Sequence, residues 1–331
     1  METSAAPSFE LIQRVRPRVE TWARRTPLDP SPGLSDLSGR DVFVKCENLQ
    51  RTGSFKIRGA SAKMTSLSEE EMRRGVVAAS AGNHGQGVAW LARELGIEAT
   101  IYVPSVIPTT KRKAIERYGA RVVVGREAAY DVTEAQAMAA CEKEGKTWIS
   151  PYDDPVVIAG AGTVGCEIFE ELEDLDAVLI PVGGGGLAVG VSVAARALSP
   201  STRIVAVNTS ASPALYLSRR EGKARLTLES KPTLAEGLEG GISQRAFELA
   251  EQYVDDVLVA EESSLPHAIA EVLRWHHFAI EGSAAVVVAA LLDGLVDPKL
   301  KRVGLLLTGG NIDYARLRKI VQEESLKEST N

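Results

Sequence analysis

Several large classes of protein are excluded by what this chain lacks. Only three cysteines occur in 331 residues, Cys46, Cys141 and Cys166, and none forms a CxxC pair. That is too few for a disulfide framework and the wrong spacing for a zinc site. No apolar run reaches the ~18 residues that a membrane-spanning helix needs. The opening stretch METSAAPSFELIQRVRPRVE has no apolar core followed by a cleavage site, so no secretory signal is expected. Basic residues are not in excess: 38 Lys and Arg stand against 44 Asp and Glu, a net charge of −6. A broad nucleic-acid footprint would need the opposite balance. There is no long Pro/Ser linker and no internal repeat. What is present is ordinary for a globular protein, with 44% hydrophobic and 25% charged residues. At roughly 150 residues per domain, the length suggests two domains in a soluble, cytoplasmic protein.

Strand-like and helix-like segments alternate for most of the length. Apolar, β-branched runs lie at 41–45, 75–80, 99–104, 120–125, 177–183, 203–208, 255–260 and 302–310. Amphipathic segments lie between them, at 84–95, 109–118, 128–143, 156–173, 187–198, 264–279, 282–292 and 313–324. Strands alternating with helices imply parallel sheets covered by helices on both faces. Near-continuous apolar runs such as AVLIPV and GLLL fit strands buried on both sides. The expected class is α/β, a doubly wound parallel sheet. The series between about 66 and 151 reads as a second, smaller α/β domain inserted into a larger one built from both ends of the chain.

Four short stretches carry the chemistry, each at a strand-to-helix junction, where open α/β sheets bind ligands. In SFKIRGA (54–60), Lys56 lies between Phe55 and Ile57 where a helix begins. A helix start and apolar surroundings both lower a lysine pKa and make the amine nucleophilic, although a lone lysine there also reads as a surface residue. In SAGNHG (80–85), small residues leave backbone amides open to an anion. Asn83 reads equally as a helix cap, and His84 as a structural histidine or an acid/base group. In PVGGGGL (181–187), Gly183, Gly184, Gly185 and Gly186 leave successive amides free to converge on a phosphate. The pattern is neither GxGxxG nor Walker A. In LTGGN (307–311), Thr308 offers a hydroxyl at a strand end, as a ligand contact or a cap. A single phosphate, a reactive lysine and a carboxylate-binding loop together fit pyridoxal 5'-phosphate.

At this point the chain resembles the fold-type II pyridoxal-phosphate enzymes, specifically the threonine/serine dehydratase and serine racemase group, from about residue 10 to 325. KCENLQRTGSFKIRGA (45–60), SAGNHGQGVAW (80–90), VIAGAGTVGCEI (157–168), PVGGGGLAVG (181–190) and LTGGN (307–311) look like that family's motifs, in its order. The resemblance implies a tryptophan-synthase-β-like fold. Its large cofactor-binding domain would be residues 1–65 plus 152–331, and its small domain, 66–151, would close over the substrate. Lys56 would carry the cofactor as a Schiff base and, once freed, remove the substrate α-proton. Phe55 would lie beside the ring and Asn83 would reach its hydroxyl oxygen. Gly183, Gly184, Gly185, Gly186 and Leu187 would bind the phosphate. Thr308 would face the pyridine nitrogen, while Gly237 and Glu281 would lie near the ring. Ser80, Ala81, Gly82, Asn83 and His84 would hold the substrate carboxylate. The implied reaction is loss of the β-hydroxyl from L-threonine or L-serine, giving a 2-oxo acid and ammonia. A homodimer is the expected assembly.

Several positions depart from the pattern. Serine racemases of the group carry a serine acid/base where this chain has Ala81, so a dehydratase is favoured over a racemase. Relatives bind a divalent cation after the strand matching 203–208. Here that strand ends in Asn208, followed by Ser212 and Ala214, which offer no carboxylate, so no metal site is expected and Asn208 reads as a turn or helix cap. The family's Ala-Asp-Gly is Ala235-Glu236-Gly237 here, and Gly240-Gly241 follows. Glu281 also reads as a helix-start carboxylate. His276 and His277 cannot both face one ligand and read as packing residues. With no effector domain after the LTGGN helix, feedback control by isoleucine is not expected. These differences leave room for another β-hydroxy amino acid, such as a 3-hydroxyaspartate, a phenylserine or a hydroxyectoine-derived compound, or for a serine or aspartate racemase.

Overall fold

The computed structural model describes residues 7–127 and 130–328. The chain opens with α1 (Phe9–Trp22), β1 (Leu28–Pro30), α2 (Pro32–Ser38), β2 (Asp41–Lys45) and α3 (Lys56–Met64). Next come α4 (Glu69–Arg74), β3 (Val76–Ala79), α5 (Asn83–Leu95), β4 (Ala99–Val103), α6 (Thr109–Glu116), β5 (Arg121–Val124), α7 (Tyr130–Glu144) and β6 (Thr147–Trp148). The rest is α8 (Pro155–Glu171), β7 (Ala177–Pro181), α9 (Gly186–Leu198), β8 (Arg203–Thr209), α10 (Ala214–Glu221), α11 (Gln244–Tyr253), β9 (Asp256–Ala260), α12 (Leu265–His276), α13 (Gly282–Leu292), β10 (Arg302–Leu306) and α14 (Tyr314–Glu328). The helix expected over 128–143 starts at Tyr130; 128 and 129 lie outside the described residues.

Two sheets result. A six-stranded sheet runs β1-β2-β10-β7-β8-β9, and a four-stranded sheet runs β5-β4-β3-β6. Among the described residues the strand pairings within these sheets are parallel except β1 with β2. The order of the larger sheet explains the site. Strand β10 is last in sequence, yet it inserts between β2 and β7, with Leu306 beside Lys45 and Leu305 beside Leu179. The loops leaving β2, β10 and β7 therefore emerge side by side, although they lie far apart in the chain.

Helices cover both faces of this sheet. On one face α1, α8 and α9 share an apolar core with Val178, Ile180 and Ile204. On the other, α12 and α13 pack on Leu179, Val205, Val303 and Leu305. Helix α8 is buried almost throughout, and its glycines let neighbours approach closely. A Cβ at Gly160 would lie 2.6 Å from the Arg58 carbonyl oxygen, and one at Gly190 would lie 2.4 Å from the Ile158 carbonyl. This close contact presses α3 against α8.

Between α3, α8 and the end of β2 lies a fully buried charge cluster. Arg58 binds Glu47 at 2.7 and 2.8 Å and Glu167 at 2.7 and 2.9 Å, and Lys45 reaches Glu167 at 2.6 Å. Thr26 donates to Glu47 at 2.5 Å. Burial pushes the Glu167 carboxyl up, but Arg58 and then Lys45 outweigh it and leave its pKa below the usual range. Two cations and two carboxylates balance, which is the condition for tolerating buried charge.

The other departures from the sequence expectation are local. Helix α1 spans a stretch in which Pro17 discourages a helical reading, yet Ser8 caps it and Leu11, Ile12, Val15 and Val19 bury one face. The run 302–310 is strand only to Leu306, and its last four residues leave the sheet for the site. Asn208 donates to the Val182 carbonyl at 2.8 Å and accepts from the Tyr216 amide at 3.0 Å, tying β8 to the first turn of α10. His276 stacks on Phe278 and meets Ser31 at 2.7 Å, while His277 ends α12 at φ 59°.

Candidate active site

Lys56 is the first residue of α3, and its ammonium donates to the Pro151 carbonyl at 2.7 Å. Burial lowers its pKa from 10.5 to about 8; the nearby Glu281 carboxylate opposes the shift without cancelling it. The Phe55 ring lies beneath the amine, 5.1 Å from ring centre to nitrogen. The Phe55 amide donates to the Thr308 carbonyl at 3.1 Å, and Ser54 bridges Gly309, so the loops after β2 and β10 are stitched together. Thr308 is buried and enters this arrangement through its backbone.

A second chain of contacts reaches the loop after β3. The Asn83 side-chain amide donates to Glu281 at 2.6 Å, and its oxygen accepts from Asn311 at 2.7 Å. Glu281 precedes α13 and is fixed by its own amide on the Gly309 carbonyl at 3.0 Å. Burial raises the Glu281 pKa, and the Asn83 hydrogen bond and Lys111 only partly offset this. Ser80 Oγ accepts from the Gly82 amide at 3.1 Å, which shapes the turn holding Ala81. No side chain caps α5, so its first amides face the cleft uncapped. His84 donates Nε2–H to the Ile149 carbonyl at 2.9 Å. Burial and the Lys56 charge push its pKa down to about 3, which makes it a neutral donor over the physiological range.

The glycine loop closes the far side. Gly185 takes φ +90°, which only glycine adopts without strain, and α9 starts at Gly186 with no capping side chain. Every position is crowded. A Cβ would lie 2.9 Å from Leu238 Cα at Gly183, 2.5 Å from the Tyr152 ring at Gly184, 2.8 Å from Ala246 Cβ at Gly185 and 2.5 Å from the Tyr152 carbonyl at Gly186. Gly237 lies alongside, its carbonyl 3.1 Å from where a Gly183 Cβ would be and its amide on Ser283 Oγ at 2.9 Å. Phe55, Lys56, His84, Tyr152, Gly186 and Leu187 line one small cavity. The expected cofactor and substrate residues thus lie at the carboxyl ends of β2, β3, β7 and β10 or on the loops packed against them, whereas Asn208, His276 and His277 lie elsewhere.

The residues present fit pyridoxal phosphate. The amine is buried and weakly basic, and the glycine cradle ends in an uncapped helix start. Ser54 Oγ, fully buried beside Lys56, has no partner among the described side chains. Gly186→Ala is expected to weaken cofactor binding by tenfold or more, because an added methyl must displace the Tyr152 backbone at a cost of about 1–3 kcal/mol. Titrating stripped protein with the cofactor measures this, and an unchanged affinity would count against the cradle. Among the described residues no group of three His, Cys, Asp or Glu side chains could hold a metal. None of their helices is long and apolar enough to cross a membrane.

Sequence reasoning missed Pro151, which anchors Lys56, Tyr152, which stands before the glycines, and Asn311, which holds Asn83. The PYDDP stretch between β6 and α8 was the available signal, since it also lies at a strand-to-helix junction.

Comparison with known proteins agrees with this geometry. Residues 19–309 match the family described as pyridoxal-phosphate dependent enzyme. An L-threonine ammonia-lyase of Thermotoga maritima is 42% identical over 324 residues, covering 97% of this chain and 79% of that one. Among solved structures, the processed form of threonine deaminase isoform 2 from Solanum lycopersicum superposes with a TM-score of 0.86 at 31% identity, covering 97% of this chain and 96% of that one. Maize serine racemase superposes at 0.90 with 30% identity, covering 99% and 100%.

Proposed function

Because the chain belongs to the pyridoxal-phosphate dependent enzymes, we propose that it is an ammonia-lyase that removes water from L-threonine or L-serine and releases a 2-oxo acid and ammonia. Pyridoxal 5'-phosphate supplies an aldehyde and an electron-withdrawing ring when bound. Lys56 would hold it through the amine, and the amides of Gly183 to Leu187 would take its phosphate. Phe55, Asn83, Gly237, Glu281 and Thr308 would surround its ring.

The protein's own residues then have distinct tasks. The amides at the start of α5, from Ala81 to His84, would hold the substrate carboxylate. A Lys56 amine with a pKa of about 8 is unprotonated often enough near neutral pH to take the α-proton, and its placement at the start of a packed helix fixes its direction. His84 orients and does not shuttle protons. Ala81 has no proton to give, so the lysine has no partner there to reprotonate the opposite face, and elimination is favoured over racemisation. The observation that carries this reading is Lys56 itself, a buried amine stripped of half its charge near pH 8 and aimed into the cavity that the glycine loop closes.

Residues 66–151 form the domain that closes over substrate in this reading, with 1–65 and 152–331 as its base. The assembly is a homodimer, the commonest soluble oligomer, in the cytoplasm. The test is 2-oxo acid and ammonia release from L-threonine, L-serine, D-serine, both 3-hydroxyaspartates and phenylserine, with chiral analysis of what remains. Rapid 2-oxobutanoate from L-threonine without D-isomer is expected. D-isomer accumulating faster than oxo acid would contradict the role given to Ala81.

A further inference from the structure

Three charged residues join the four-stranded unit to the six-stranded one at the mouth of the cleft. Helix α6 begins just past the carboxyl end of β4 and carries Lys111. The Lys111 ammonium pairs with one oxygen of Glu236, across the cleft. The other oxygen of that carboxylate takes the Arg316 guanidinium of α14 at 2.5 Å. Thr110, next to Lys111, hydrogen-bonds Asp313 just before α14. Glu236 immediately precedes Gly237, which stands against Gly183 and Ser283, so the carboxylate is mounted on the wall of the proposed cofactor site.

The exposure of these side chains is informative. Lys111, Glu236 and Arg316 keep 23, 32 and 44% of theirs. Unlike the Arg58 cluster, these side chains stay in reach of water. Partly exposed pairs are weak and screened by salt, which suits a contact that breaks and re-forms in each turnover. A carboxylate held from behind by Arg316 also stays aimed at Lys111 when α6 moves away.

We propose that Lys111, Glu236 and Arg316 form an ionic latch that closes the small unit over Lys56 and the bound substrate, with Glu236 as its positioning residue. The latch rests on the functional reading above. It predicts a split in kinetic constants. In Glu236→Gln holoenzyme, KM for L-threonine rises about fivefold or more, while kcat stays within about twofold; Lys111→Gln raises KM likewise but also lowers kcat, because Lys111 acts on the Glu281 carboxylate as well. Added salt raises the wild-type KM and leaves the variants flat. The KM of the double variant is no higher than that of either single one, because both remove the same contact. Lys111→Arg restores the wild-type KM.

Hydrogen exchange gives a readout that needs no turnover. Amides of 104–116 exchange faster in both Gln variants than in wild type, while the absorbance near ~410 nm expected of the lysine-bound cofactor is kept. Unchanged exchange at 104–116, or an unchanged KM with wild-type salt dependence, would overturn the latch. If wild-type protein ignores threonine and its congeners, the functional reading falls and the exchange experiment still decides the latch.

Discussion

Lys56→Ala is expected to lower turnover by on the order of 10⁴-fold or more, because in the proposed function one side chain would both hold the cofactor and move the proton. The loss should appear in kcat, with oxo acid release falling to background, and the yellow absorbance near ~410 nm should vanish with it. Rescue by a small external amine would return part of the proton transfer, since the cavity left by the side chain lies where the amine stood. The stability of cofactor-free protein should move the other way. In the folded chain the Lys56 pKa is lowered from 10.5 to about 8, so folding favours the neutral amine. As pH falls from 10.5 toward 8 the unfolded chain takes up the proton first, and the penalty is complete below 8, on the order of 3 kcal/mol. Lys56→Met, which fills the same space without a charge, is therefore expected to melt higher than wild-type cofactor-free protein at pH 7 and equally at pH above 10.5. An active Lys56→Ala enzyme would remove the basis of the account.

Arg58→Met is expected to cost about 3–5 kcal/mol, because Glu167 would be left with Lys45 and Glu47 with only the Thr26 hydroxyl. Thermal unfolding should fall by on the order of 10 °C. The pH dependence follows from the Glu167 carboxyl, whose folded pKa is held below the usual value chiefly by Arg58 and then Lys45 against burial. In wild type that contribution is present above the unfolded carboxyl pKa and is lost as pH falls through the lower folded one. In the variant the cation is gone, the carboxyl can protonate at higher pH, and the deficit narrows as pH falls toward 5. A melting point within a degree or two of wild type at pH 7 would show that the cluster does not hold α3. Because Arg58 lies two residues beyond Lys56, some loss of the lysine's alignment, seen as weaker cofactor absorbance in protein that remains folded, is expected alongside.

The parts of the site legible from sequence are those whose chemistry lies within one short stretch. Four adjacent glycines, or a lysine between two apolar residues at a helix start, announce themselves without a partner. The alternation of apolar runs and amphipathic segments gave the sheets for the same reason, since the signal is local and periodic. The charge cluster was not legible, because nothing next to Glu47 or Arg58 in the sequence marks them as partners, and Arg58 meets Glu167 only after α8 folds back over α3. Tyr152 was missed because its role is to stand against Gly184, thirty-two positions away; Glu236 stood out as a departure from the family's Asp, but not its pairing, because Lys111 and Arg316 come from opposite sides of the cleft. Asn83 read equally as a helix cap, and only its contacts with Glu281 and Asn311 separate the two roles. Helix α1 was hidden by Pro17, a breaker that the packing of Leu11, Ile12, Val15 and Val19 overrides.

Whether Lys56 carries the cofactor is tested most directly by reducing the purified protein with borohydride, digesting it, and locating the cofactor-bearing peptide by mass. A single pyridoxyl group on Lys56, in the stretch SFKIRGA, is expected, with loss of both the ~410 nm band and 2-oxobutanoate release on reduction. A colourless protein, or a pyridoxyl group on Lys45, Lys63 or Lys111 in place of Lys56, would contradict it.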